Sequence, residues 1–202
     1  MTKKHALTRE DILPMAEYAK IRKDRRTEIS DIKKDRRMAV GPYAMFYFES
    51  YDTMWWQVHE MLYIEKGGEA QIAGELETYN PLIPKGSELV ATLMFEIENA
   101  DRRDAFLRTI GGIEETVVLH VGETQIPAVP ESDVERSTQG GKASSVHFLR
   151  FAFPKEAIAA FRDPETEAIL GIRHKGYAHM AEIPAHVRAA LAEDFDKAGV
   201  RE

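Results

Sequence analysis

The strongest constraint on the fold is the period-two pattern of apolar residues in "ELVATLMFEIE", residues 88–98. Apolar residues from Leu89 to Ile97 occupy every second position, which predicts a strand with one buried face. The segment "VHFLRFAF" (146–153) predicts another strand, and "AILGIRH" with "YAHMAEI" predicts a hairpin that turns at Lys175 and Gly176. These strands indicate a mostly antiparallel sheet.

The predicted elements occur twice in the same order. Strand, short helix, strand, turn and strand follow one another in residues 88–127 and again in residues 145–184. The two segments are either an internal duplication, which would give the sheet pseudo-twofold symmetry, or a chance similarity between two common units.

The remaining regions are mainly helical. A long charged helix is predicted to begin near Thr8, and residues 51–80 have the apolar spacing of a helical hairpin. Between them, residues 38–50 predict a strand interrupted at Gly41 and Pro42, which favours a sheet edge or a bulge. We therefore predict an α+β fold, a mostly antiparallel sheet with a long N-terminal helix, a helical hairpin and short crossover helices. A basic helical arm, residues 1–37, precedes a single α+β domain, residues 38–202.

Charge is distributed unevenly along the chain. Residues 1–37 contain 12 Lys and Arg against 7 Asp and Glu, whereas residues 38–202 contain 15 against 27. A largely acidic protein with a basic arm makes nucleic-acid binding improbable, because phosphate contacts need a concentrated positive face. The charged helix is either a solvated surface helix or an arm that docks on an acidic partner.

Composition excludes several kinds of site. The chain has no cysteine, so it has no disulfide, thiolate metal site or cysteine nucleophile, and any metal must be held by His, Asp or Glu. It has no Gly-rich phosphate loop, no G-x-S-x-G motif and no H-E-x-x-H motif. With no apolar run of membrane-spanning length and no secretory signal pattern, we expect a cytoplasmic protein.

The hairpin at residues 168–183 contains two histidines that could bind a metal. A two-residue or a four-residue turn would place His174 and His179 on the same face, with Tyr177 beside them. Together with a carboxylate such as Glu60 or Glu88, they could hold a divalent metal, iron or zinc. The alternative is that both rings lie at the rim of the core and bind backbone groups or Tyr177.

The helical hairpin contains a second group of candidates. Its first helix has Gln57, His59, Glu60 and Glu65, but the hairpin has no Glu-x-x-His motif, so a di-iron bundle is improbable. Most of its carboxylates are expected to be solvated. Trp55 and Trp56 are adjacent, so one can face the core while the other faces a partner. Trp56 either anchors a partner interface or lines the core.

Several stretches resemble the bacterial family called domain of unknown function 3501. They are "RRMAVGPYAMFYFESYDTMWWQVHEMLYIEK", "ELETYNPLIPKGSELVATLMFEIE", "SSVHFLRFAF" and "HKGYAHMAEIP". The resemblance implies a role near iron or peroxide redox metabolism, beside rubrerythrin-like and iron–sulfur proteins. It also strengthens a set of candidate site residues: Gln57, Glu60, Glu65, Tyr79, Asn80, Glu88, His174 and His179.

Two functional hypotheses follow. The first is a binding or accessory protein that docks a redox partner through its basic helix and Trp56. The second is a non-haem metal protein or oxidoreductase that uses His and Glu ligands. A homodimer is the default expectation for oligomeric state.

Overall fold

The computed structural model describes residues 4–131 and 141–196. Its six α-helices in these ranges are α1 Met15–Lys34, α2 Tyr51–Glu65, α3 Glu69–Tyr79, α4 Ala100–Leu107, α5 Lys155–Arg162 and α6 Ala185–Ala192. Its nine strands in the same ranges are β1 Arg37–Val40, β2 Ala44–Phe48, β3 Glu88–Phe95, β4 Val117–Val121, β5 Thr124–Pro127, β6 Val129–Pro130, β7 Val146–Ala152, β8 Ala168–His174 and β9 Tyr177–Glu182. The predicted α+β class is confirmed. The polar run at residues 131–145, whose lack of periodicity predicts a loop, falls mostly outside the described residues.

The strands form two antiparallel sheets. The first has the order β1-β2-β3-β7-β6 and the second the order β5-β4-β8-β9. Side chains from both sheets pack into one core, in which Phe46, Leu93 and Phe151 of the first sheet and Leu119 and Leu170 of the second are fully buried. The apolar face predicted for residues 88–98 therefore lies between the sheets. The prediction of only one buried face is wrong, because Val90 and Thr92 on the other face of β3 are buried too.

The repeated order of elements is real at the level of topology. In each repeat, a strand of the first sheet leads through a short helix to a hairpin in the second sheet, as β3-α4-β4-β5 and as β7-α5-β8-β9. β3 pairs antiparallel with β7, and β4 pairs antiparallel with β8. A twofold relation between the two repeats would give these pairings.

The predicted helical hairpin, α2 and α3, covers the outer face of the first sheet. Val58 and Leu62 of α2 and Ile72 of α3 form a second core with Val90 and Phe148 from the outer face of that sheet. None of the described helices is both long and apolar enough to cross a lipid bilayer.

The predicted interruption at Gly41 and Pro42 is a turn and not a bulge. β1 and β2 pair in a hairpin in which Val40 lies opposite Ala44, and β1 is an edge strand of the first sheet. Gly41 has a positive φ of 72°, which glycine adopts without strain.

The long N-terminal helix begins later than predicted. Thr8 and Asp11 bound a short 3-10 turn, in which the Asp11 carboxylate accepts hydrogen bonds from the Thr8 backbone and hydroxyl. α1 begins at Met15, immediately after Pro14. The reason is that a proline disfavours helical geometry in the residue before it.

The segment before α1, residues 4–14, which we call the N-terminal strap, is fastened to α2 and to the end of α3. The Asn80 side chain bonds both the N–H and the C=O of Leu7, at 2.7 and 2.9 Å. The His59 ring accepts a hydrogen bond from the Leu13 N–H at 3.1 Å, and the Trp55 indole donates to the Asp11 carbonyl at 3.0 Å. The predicted arm, residues 1–37, is thus packed against the rest of the fold over its described length.

His59 makes the attachment of the strap sensitive to pH. The ring is fully buried, Nδ1–H donates to the Trp55 carbonyl at 2.7 Å, and Nε2 must stay unprotonated to accept from Leu13. Burial lowers the pKa of His59 below its usual value. This contribution to stability is therefore complete above about pH 6.5 and is lost as the pH falls below that value.

We expect the wild type to lose up to about 1.4 kcal/mol of unfolding free energy per pH unit from this group below pH 6.5. Urea unfolding between pH 5 and pH 7 measures the slope. A His59→Gln variant keeps a donor and an acceptor but does not titrate, so its slope should be smaller. Equal slopes in the two proteins would contradict this role of His59.

Candidate functional site

A basic groove lies between α1, α2 and the β1–β2 hairpin. Its volume is about 440 Å3. It is lined by Arg22, Arg26, Ile29, Ser30, Lys33, Arg37, Tyr47, Trp56 and Glu60. Four of these side chains are cationic and one is anionic, so the groove is positive on a chain whose net charge is −7.

The spacing of basic residues along α1 produces the groove. Arg22, Arg26 and Lys33 are separated by four and seven residues, which puts them on one stripe of the helix. They span about 16 Å of the helix axis at 1.5 Å per residue. Arg37 adds a further cation at the start of β1, where it lies opposite Tyr47 of β2.

The floor of the groove is apolar. Ile29 is buried on the same stripe of α1, between Arg26 and Lys33. Trp56 of α2 is half-buried, and its ring lies 6.0 Å from the ring of Tyr18. An indole ring in a groove that also carries cations suits a ligand with both apolar and negative groups.

One cation is neutralised within the groove. Arg22 forms a two-pronged ion pair with Glu60, with both N–O distances 2.8 Å, and the Tyr18 hydroxyl donates to the same carboxylate at 2.7 Å. The hydrogen bonds from Arg22 are the main cause of a lowered pKa for Glu60. Glu60 therefore stays ionised and fastens α1 to α2.

The other three cations have no such partner. Arg26, Lys33 and Arg37 form no ion pair with any side chain in the described ranges. Tyr47 donates its hydroxyl to Glu96, and burial with this contact raises the pKa of Tyr47 to about 12, so it stays neutral. The groove, which Trp56 also lines, therefore has three cations without an ion-pair partner in the described ranges.

The hairpin of β8 and β9 has the two-residue turn that places both histidines on one face. His174 lies opposite Tyr177, and Ile172 lies opposite His179. The Tyr177 and His179 rings are 4.5 Å apart. His174 is buried and its Nδ1 accepts from the Gly176 N–H at 3.0 Å, whereas His179 is exposed.

Tyr177 joins the two sheets at this point. Its hydroxyl donates to the Val40 carbonyl at 2.7 Å and accepts from the N–H groups of Tyr43 and Ala44 at 2.9 and 3.0 Å. All three groups belong to the β1–β2 hairpin. The face shared by the histidines is thus occupied by a contact between two hairpins.

The structure does not bring the proposed carboxylate ligands to this hairpin. Glu60 lies in the basic groove. Glu88 binds Arg150 and accepts from the Lys85 N–H, and it points to the outer face of the first sheet, opposite the neighbouring core residue Leu89. Within residues 4–131 and 141–196, no three His, Asp or Glu side chains form a group that could hold a metal ion.

The other candidates have partners of their own. Gln57 donates to the Tyr79 hydroxyl at 3.4 Å, Glu65 accepts from Gln71 at 2.6 Å, and Asn80 holds the N-terminal strap. These contacts connect α2, α3 and the strap, and none of these candidates lies in the basic groove.

Sequence reasoning assigned the basic helix and Trp56 to one docking surface, and both line the groove. It missed Arg37 and Tyr47, which the β1–β2 hairpin brings beside the helix. The basic residues at 22, 26 and 33 were a readable signal, because that spacing marks one face of a helix.

No curated protein matches the chain. A solved structure does: the crystal structure of a novel protein of unknown function from Burkholderia pseudomallei K96243 is 38% identical in sequence, with a TM-score of 0.87. The match covers 95% of this chain and 100% of that chain. The family model described as "Protein of unknown function (DUF3501)" matches residues 6–195, and the chain therefore belongs to the DUF3501 family.

Proposed function

We propose that the protein is a binding or accessory protein that holds an acidic segment of a partner protein in the basic groove. The observation that carries this proposal is that Arg26, Lys33 and Arg37 line the same groove as the half-buried ring of Trp56. None of the three cations has an ion-pair partner in the described residues. Cations around an aromatic side chain attract an acidic ligand electrostatically and hold it by apolar contact.

The charge of the whole molecule favours a protein segment over a nucleic acid. Residues 38–202 have 12 more acidic than basic side chains, so a long polyanion extending beyond the groove would approach a molecule of net negative charge. A short acidic segment stays within the positive region. A redox protein of the kind implied by the family resemblance is the proposed partner.

Reversing two charges of the groove should abolish most of the binding. We expect an Arg26→Glu/Arg37→Glu variant to bind a fluorescein-labelled hexaglutamate peptide about 30-fold more weakly than the wild type, because two attractions become repulsions. Fluorescence anisotropy in about 50 mM salt, where surface charges are weakly screened, measures the affinity.

A matched control separates the groove from net charge. Lys20→Glu/Lys155→Glu changes the net charge equally at two exposed positions outside the groove, and it should weaken binding less than about threefold. Equal losses in both variants would remove the groove from the proposal. Tighter binding of a 12-nucleotide single-stranded DNA than of hexaglutamate would replace the protein segment by a nucleic acid.

The alternative of a metal protein or oxidoreductase that uses His174, His179 and a carboxylate stays a prediction. The shared face of the two histidines is the observation in its favour.

A further inference from the structure

The lining of the groove has an order along α1 that the proposed function does not use. Arg26, Ile29 and Lys33 follow one another on the same stripe, each about one helical turn from the next. The groove therefore presents a cation, then an apolar surface, then a cation. Ile29 exposes only 7% of its surface, so the half-buried Trp56, which lines the same groove, supplies most of the accessible apolar area.

We infer that the acidic segment bound in the groove carries an apolar or aromatic side chain between two carboxylates, at positions i, i+2 and i+4 of an extended strand. This inference rests on the proposed function and names the pattern that the groove selects.

The period of an extended chain supports this spacing. Side chains at i, i+2 and i+4 point to the same side, and four residues span about 13 Å. The axial distance is about 10 Å from Arg26 to Lys33, and these two long side chains can cover the difference. The two carboxylates can thus reach the cations at both ends while the middle side chain lies on Trp56 and Ile29.

A different spacing would waste one of these contacts. With an apolar residue at i+1, its side chain would point away from the groove whenever the carboxylate at i points into it. A segment of carboxylates alone would place a charged group on the apolar middle, where it gains no partner and loses hydration.

Labelled peptides with one changed position test the pattern. The first peptide has Glu-Gly-Phe-Gly-Glu at its centre, the second has Gly in place of Phe, and the third has the order Glu-Phe-Gly-Gly-Glu. All three have the same charge. We expect the first to bind about tenfold more tightly than either of the others, because an aromatic side chain buried in a groove contributes on that scale.

A substitution of Trp56 tests whether the preference for the first peptide arises in the groove. Trp56→Ala should reduce the preference for the first peptide to less than about twofold, while the three peptides keep a salt-dependent affinity through Arg26, Lys33 and Arg37. Circular dichroism and urea unfolding of the variant check that the fold is retained, and Trp56→Phe, which keeps an aromatic face, should restore most of the preference.

The outcomes separate this inference from the proposed function. Equal binding of the three peptides, together with tight binding of hexaglutamate, would overturn the pattern and leave the acidic segment in place. A preference that persists in Trp56→Ala would also overturn it, because the apolar contact would then lie elsewhere. If the wild-type protein bound none of the acidic peptides, both the pattern and the proposed function would be overturned.

Discussion

A Gly41→Ala variant is expected to lose about 3 kcal/mol of unfolding free energy. Gly41 has a φ of 72°, so an alanine there adopts a left-handed conformation at about 1–2 kcal/mol. The added Cβ would also lie 2.5 Å from Cγ of His179 and 2.7 Å from the hydroxyl oxygen of Tyr177. Exposed His179 has room to rotate away, but Tyr177 is held by three backbone groups of the β1–β2 hairpin.

The overlap with Tyr177 destabilises the contact between the two sheets, because Tyr177 of β9 bonds to the β1–β2 hairpin. If the tyrosine ring shifts, the N–H groups of Tyr43 and Ala44 lose their acceptor, and each buried group left unsatisfied costs about 1–3 kcal/mol. Tyr177→Phe removes the same hydrogen bonds without a clash, so it should also destabilise the protein, by about 2 kcal/mol.

Urea unfolding at pH 7 measures these changes, and the chain offers a matched control. Gly112 also has a positive φ, 78°, but an added Cβ would meet no atom within 4 Å. Gly112→Ala should therefore show only the backbone part, about 1 kcal/mol. If Gly41→Ala lost no more unfolding free energy than Gly112→Ala, the contact with Tyr177 would not be the reason that position 41 requires glycine.

The hairpin histidines show which features of a site can be predicted from sequence and which cannot. Strand alternation is visible in sequence, so the shared face of His174, Tyr177 and His179 could be predicted from the short turn. The exposure of each of these side chains could not be predicted from sequence. It depends on the turn between β1 and β2, which lies more than 130 residues earlier in the chain. That turn covers the hydroxyl of Tyr177 and leaves His179 at the surface.

The basic groove likewise combines a local pattern that can be predicted from sequence with long-range contacts that cannot. The stripe formed by Arg22, Arg26 and Lys33 is a local pattern and follows from helical geometry. Its apolar floor requires Trp56, which lies on another helix, and the far end requires Arg37 of β1. The sequence gives no distance between these elements, and so the charged helix could be interpreted equally well as a solvated surface.

Arg36 and Arg37 show why residue type alone does not decide function. Arg36 is buried, with 7% of its side chain exposed, whereas its neighbour Arg37 is exposed and lines the groove. They separate because α1 ends at Lys34 and β1 begins at Arg37, so adjacent side chains point in different directions. Arg36 then meets the end of β2 and the C-terminal part of α6.

We expect Arg36→Met to lose about 3–5 kcal/mol of unfolding free energy, because it removes one partner from a buried charged network. The guanidinium donates to the carbonyls of Phe48 and Glu49 at 3.0 and 2.9 Å, and it forms an ion pair with Asp194. Methionine fills a similar volume but leaves both carbonyls without this donor. Arg36→Lys should recover only part of the loss, since one ammonium group cannot reproduce a planar fork.

Arg37→Met is the matched control, and the pair of variants separates stability from binding. Losing an exposed arginine should change unfolding free energy by less than about 0.5 kcal/mol. The same variant should weaken binding of hexaglutamate, because it removes one of the three groove cations that form no ion pair in the described residues. Arg36→Met should do the reverse, with a large loss in urea unfolding and little change in affinity while the protein remains folded. Equal stability losses in the two variants would show that Arg36 does not join α1, β2 and α6 in the way that its contacts indicate.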